Sequence, residues 1–134
     1  MEVSKFKDKL AFRAWLHENH QSHKGIWIQF DKLGQTSTLT AEQALDQALC
    51  FGWIDSTIKR VDHQFYVKYF AKRTQKSKWS EKNKKAVLRL DKEELLHHSG
   101  TKAIDDAKKD GRWQQNIDQV PPNLVEDFIV LLNQ

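Results

Sequence analysis

Phe12, Trp15 and Leu16 recur at intervals of three and one, so they share one face of a helix. Asp8 stands where an N-cap belongs, and a first helix is expected over about residues 9–20, ended by Gly25. The period then shortens. Ile26, Ile28 and Phe30 alternate with Trp27, Gln29 and Asp31, which reads as a strand with Trp27 on its second face. A polar loop from Leu33 to Leu39 leads to Thr40-Ala41-Glu42-Gln43, which matches a capping box. The helix it opens would bury Ala44, Leu45, Ala48, Leu49 and Phe51, and Gly52 is its natural stop. Trp53-Ile54 leads the chain out.

A second strand is expected over residues 64–71, where Phe65, Val67 and Tyr69 alternate with Tyr66, Lys68 and Phe70. A basic loop follows from Lys72 to Lys78. Ser80 can cap a helix running to about Leu90, with Ala86, Val87 and Leu90 inside. Short helices are expected near residues 92–98 and 101–110. Pro121-Pro122 breaks the chain, and Asn123 caps a last helix with Leu124, Phe128, Leu131 and Leu132 on its apolar face. The pattern is α+β: a small antiparallel sheet packed with about five helices. A chain of 134 residues fits a single domain, 1–134.

Composition narrows the class. No apolar run reaches the roughly 18 residues of a membrane span, and Met1 to Lys5 lacks the centre of a signal peptide, so the cytoplasm is expected. One cysteine, Cys50, excludes an internal disulfide and a thiolate-cluster zinc site. Charge is unevenly placed. Residues 56–92 carry 12 Lys/Arg against 3 Asp/Glu, a net +9, whereas residues 93–134 carry 4 against 8, a net −4. A basic segment of that kind suits an anionic partner, or is a solvated face.

The helix start at Ser80 is the first candidate site. Free N–H groups at a helix N-terminus attract anions, and Arg73, Lys76, Ser77, Lys78 and Lys84 lie near it in sequence. Trp79 could stack on a ring. Glu81 opposes this, since it would occupy the same field. Asp55 follows the apolar pair Trp53-Ile54 and is expected to be partly buried, or else to cap the turn at Ser56-Thr57. Cys50 sits near a helix C-terminus among apolar neighbours, which favours an inert thiol. His17, His20 and His23 lack a third metal ligand of fixed geometry, and His97 and His98 point apart on a helix; no metal and no cofactor is expected.

Several segments carry a resemblance. Ala48-Leu49-Cys50-Phe51-Gly52-Trp53-Ile54-Asp55 is one, and Ser77-Lys78-Trp79-Ser80-Glu81-Lys82-Asn83-Lys84 another. Trp15-Leu16, Gly25-Ile26-Trp27 and Ala107-Lys108-Lys109-Asp110-Gly111-Arg112-Trp113 extend it over roughly residues 6–113. Together they resemble the YdeI/OmpD-associated family of bacterial proteins, also labelled bacteriocin-protection proteins. Phe70-Ala71-Lys72-Arg73 lacks the proline of the family's Phe-x-Pro-Arg, which leaves the loop at 71–76 freer. The resemblance implies Arg73 as the partner of Asp55, and residues 121–134 as the start of a further helical segment or the end of a short member. It also implies a role in bacteriocin protection or envelope-stress defence.

The leading expectation is a binding protein for a small anionic ligand. Its site would lie between the Cys50–Asp55 end of the second helix and the basic segment, using Asp55, Arg73, Ser77, Lys78, Trp79, Ser80, Asn83 and Lys84. Three alternatives stand beside it. One is a nucleic-acid-binding module that uses the basic 56–92 segment, with Tyr66 or Trp79 for stacking. The second is an enzyme acting on a small anionic substrate with Asp55 as acid or base. The third is an interaction module whose basic face meets an acidic partner.

Overall fold

Local signals set most of the elements. A computed structural model describes residues 2–114 of the chain. The expected Pro121-Pro122 break and the helix from Asn123 lie outside the described residues. The elements are β1 (Val3–Ser4), α1 (Lys9–Asn19), β2 (Gly25–Asp31), α2 (Ala41–Cys50), β3 (Trp53–Arg60), β4 (Phe65–Lys72), α3 (Glu81–Lys92) and α4 (His98–Lys109). The fold is α+β, with a four-stranded mixed sheet in the order β1-β2-β4-β3 and four helices among the described residues.

Three caps form as the sequence requires. Asp8 accepts the Ala11 N–H, Ser80 accepts that of Asn83, and Thr40 and Gln43 make the reciprocal capping box. Gly52 follows α2 at φ 78°, the left-handed backbone that ends helices. A Cβ there would also come within 2.9 Å of the Ser99 carbonyl oxygen. Gly25 does something other than end α1, which stops at Asn19. It opens β2, and a Cβ on it would collide with the Tyr69 ring that lies across it.

The register sorts the sheet into two faces. Cross-strand partners share a face, so Ile26, Ile28 and Phe30 of β2 point the same way as Phe70 of β4. The helices pack here. Phe12 and Leu16 of α1, Ala48 and Leu49 of α2, and Val87 and Leu90 of α3 join them in one buried cluster. Phe12 meets Phe70 edge-on at 5.9 Å between ring centres. Each such large side chain removed from water contributes about 1.5–3 kcal/mol. On the second face Trp27 and Tyr69 lie side by side at 5.1 Å, with Lys59 Nζ over the Trp27 ring.

Four expectations need correction. The sheet is not wholly antiparallel, because β1 pairs with β2 in parallel; a two-residue strand carries no readable period. β3 replaces the expected exit at Trp53-Ile54. As an edge strand it buries only Trp53 fully and is exposed from Ser56 onward, Ile58 included. No helix spans residues 92–98: the chain turns after α3 through Glu94 at φ 60°, and the Leu95 N–H bonds back to Leu90. Four helices therefore stand where about five were expected among the described residues.

α4 is docked by its first turn. The His97 N–H donates to the Cys50 carbonyl at 2.9 Å, and a Cβ on Gly100 would strike that same oxygen. This close approach lays α4 across the end of α2 and beside the junction of β3 and β4.

Candidate functional site

β4 ends at Lys72, opposite Trp53 at the start of β3. The next residue, Arg73, stays attached to the sheet end through its N–H, which donates to the Gly52 carbonyl at 3.1 Å. Its side chain turns inward. The guanidinium carbon lies 3.5 Å from the centre of the Trp79 ring, a cation–π stack. Nη1 donates to the Lys78 carbonyl at 3.0 Å. Nε and Nη2 are shielded from solvent and have no acceptor among the described residues. A buried donor without a partner costs about 1–3 kcal/mol, more when charged. Burial, and then the positive charge of Arg112, pull the Arg73 pKa down to about 10, and Asp55 opposes them weakly. Arg73 remains charged at neutral pH.

Arg112 stands on the other side of the 74–77 loop. Its Nε meets both Asp110 oxygens at 2.9 and 2.8 Å, and Nη1 donates to the carbonyls of Thr74 and Ser77 at 2.6 and 3.3 Å. The pair holds the Asp110 carboxyl below the usual carboxylate range, and it straps the loop to the end of α4.

These groups border a cavity of about 650 Å³ at the end of the sheet, walled by β3, β4, the 74–75 turn and α4. That volume is in the range of small-molecule sites. Lys72, Arg73, Lys102, Lys109 and Arg112 line it, against Asp106 and Asp110. Some cations are occupied. Lys102 pairs with Asp106 at 2.8 Å, and Lys72 donates to the Gln21 carbonyl at 2.8 Å. Lys109 has no ion-pair partner among the described residues. The lining therefore carries a net positive charge, and His20 closes one side of it.

The expected site residues do not come together here. Of the eight, only Arg73 lines this cavity. Trp79 is buried beneath Arg73 as its platform, and Lys78 contributes a carbonyl instead of its ammonium. Ser77 accepts the Thr74 N–H through Oγ at 2.9 Å. Ser80 and Asn83 make the α3 cap, and Lys84 pairs with Glu81 at 3.2 Å beside it. Among the described residues, no cation other than Lys84 makes a side-chain bond at that helix start, so the cluster around Ser80 is dispersed.

The expected ion pair between Asp55 and Arg73 is absent. Asp55 bonds to Lys68 at 3.2 Å instead. The reason is the register: Asp55 lies opposite Phe70, on the strand face it shares with Lys68, while Arg73 lies past the strand end and is held by Trp79. Asp55 and Asn83 border a separate groove between α2 and α3, with Lys68 and Arg89. Arg89 is taken up there by Asp46 at 2.8 Å. Tyr66 is half-buried against Phe30 at 5.6 Å, and Trp79 is fully buried, so Trp79 is not free to stack on a base. Cys50 is fully buried, and burial pushes its thiol pKa up, as suits an unreactive thiol.

Lys72, Lys102, Lys109 and Arg112 are the site residues that sequence reasoning missed. Arg112 stands within the Ala107–Trp113 segment, but nothing in its spacing points to Arg73, 39 positions away. Among the described residues, no three His, Cys, Asp or Glu side chains could share a metal ion. No described helix is long and apolar enough to cross a membrane.

Fold and site together define a small α+β domain with a cationic cavity at one end of its sheet. The chain belongs to the family of the domain of unknown function DUF8412, whose model matches residues 4–103. This overturns the resemblance to the YdeI/OmpD-associated family, and the expectation of bacteriocin protection or envelope-stress defence loses its basis with it. The short motifs that suggested the resemblance are local fragments, whereas the match spans β1 to the middle of α4. No curated protein and no solved structure matches the chain.

Proposed function

We propose that this protein binds a small oxyanion-bearing ligand in the cavity at the end of its sheet. The observation that carries the reading is Arg73. It is a half-buried charged side chain with two N–H groups shielded from solvent that lack acceptors among the described residues, in a cavity it shares with Arg112 and Lys109. A phosphate, sulfate or carboxylate oxygen would supply the missing acceptor and offset the repulsion between Arg73 and Arg112. The ligand class follows from the cations and the volume. The start of α3 is not part of this site, because Lys84 and Glu81 neutralise each other there.

Thermal melts in sulfate and in chloride at matched ionic strength test the reading. Specific binding to the folded state adds about 2.7 kcal/mol at a hundredfold excess over the dissociation constant. Sulfate also stabilises proteins generally by exclusion from their surfaces, so Arg73→Met and Lys109→Ala serve as controls. The expected result is a sulfate increment in the wild type that falls to the general level in Arg73→Met and partway in Lys109→Ala. Equal increments in all three proteins would overturn the reading.

A further inference from the structure

His20 borders the same cavity and is only 8% exposed. Its Nδ1 lies 2.8 Å from the Leu16 carbonyl oxygen. A carbonyl can only accept, so Nδ1 carries the proton. In the neutral ring Nε2 is then a bare lone pair, and this buried atom has no partner among the described residues. A lone pair offers nothing to an anion, whereas a protonated Nε2 would be a charged donor.

We infer that His20 is a proton-linked ligand of the cavity, taking a proton from solvent as an oxyanion enters and donating the new Nε2–H to it. The inference rests on the anion reading of the cavity and names the residue that would couple it to pH. The surroundings argue for such coupling from both directions. The empty cavity is lined by more cations, Lys72, Arg73, Lys102, Lys109 and Arg112, than carboxylates, Asp106 and Asp110. A bound anion shifts that balance toward negative charge. The end of α1 helps, because His20 is its C-cap, and helix C-termini favour cations.

His97 is the competing base. It faces His20 at 5.0 Å between ring centres, with His17 behind it on α1 and His98 beside it. His97 Nδ1, however, accepts the Ser99 N–H at 3.2 Å, a bond that protonation of Nδ1 would break, while the Ser99 hydroxyl donates to the Phe51 carbonyl at 3.1 Å. Burial and the neighbouring imidazoles also hold the His97 pKa below its ordinary value. The proton that accompanies an anion therefore goes to His20.

Calorimetric titration with sodium sulfate at fixed ionic strength tests this, because sulfate does not itself titrate in the histidine range. It is run in buffers of differing ionisation enthalpy. The wild type should bind sulfate about five- to tenfold more tightly at about pH 6 than at about pH 8, with net proton uptake on binding between those values. His20→Asn should lose the pH dependence and the proton uptake, and His97→Asn should keep both. Nitrogen NMR of the wild type gives a readout independent of any variant: sulfate should convert the His20 ring from the Nδ1–H form to the doubly protonated form. Sulfate saturation with His20 Nε2 still bare, or a pH slope retained in His20→Asn, would overturn the inference and leave the anion site standing. No saturable binding at either pH would overturn both.

Discussion

Arg73 is held in a position that costs stability. Its guanidinium keeps one good hydrogen bond and the Trp79 stack, yet two charged N–H groups go without acceptors among the described residues. Replacing a buried, incompletely paired charge by an apolar side chain of similar length is often neutral or stabilising. Methionine also makes favourable contacts with aromatic rings. Arg73→Met should therefore melt in chloride at the wild-type temperature or above it. A loss of about 2 kcal/mol or more in chloride denaturation would mean that the guanidinium is a structural clasp for the 74–79 loop. At this scale the sequence was partly legible. Arg73 was singled out, and the caps at Asp8, Thr40 and Ser80 were read from local chemistry. The partner of Arg73 was not, because stacking on Trp79 needs no regular spacing, and Asp55 had the charge to suggest a pair that the register does not allow.

At the scale of elements, α4 makes the cavity, and its attachment depends on an unusual cap. His97 is the N-cap of α4, and its Nδ1 accepts the Ser99 N–H. Protonation turns that acceptor into a donor and places positive charge at the positive end of the helix. The direction of the pH effect follows. The folded state holds His97 below the ordinary histidine value, so the unfolded chain binds its proton first as pH falls. The cap's contribution is whole above about pH 6.5 and is lost as pH falls through the lower folded value. His97→Asn supplies a cap that does not titrate. Wild type and variant should have similar stability at neutral pH and diverge by about 1 kcal/mol at about pH 5, with the wild type less stable. Parallel pH profiles would show that His97 is not the group responsible. Elements with strong periods were legible: α1, α2, β2, β4 and α3 all fall near their expected places. β1 is too short to have a period, β3 is an exposed edge, and the start of α4 is fixed by Gly100 packing on Cys50, a contact 50 residues long.

Across the whole molecule, linear charge was a poor guide to the site. The +9 segment supplies only Lys72 and Arg73 to the cavity. The remaining three cations, Lys102, Lys109 and Arg112, come from the segment whose net charge is −4. Windows of sequence add charges that the fold then separates: Lys68, Lys82, Lys85 and Arg89 border a different groove, and Lys59 covers Trp27 on the far side of the sheet. The helices, lying on one face, leave the end of the sheet to be closed by α4. That closure brings two arginines and three lysines to one opening. The family match covers the part of the cavity formed by Lys72, Arg73 and Lys102, and it ends before Lys109 and Arg112.

The central claim is that this opening holds an anion on Arg73. A crystal structure of the protein soaked in selenate, with the ion located by its anomalous scattering, tests that most directly. One dominant selenate is expected in the cavity, with an oxygen within about 3 Å of a guanidinium nitrogen of Arg73 and within reach of Lys109 or Arg112. Selenate at the start of α3 beside Ser80, or spread over surface lysines with none in the cavity, would contradict it.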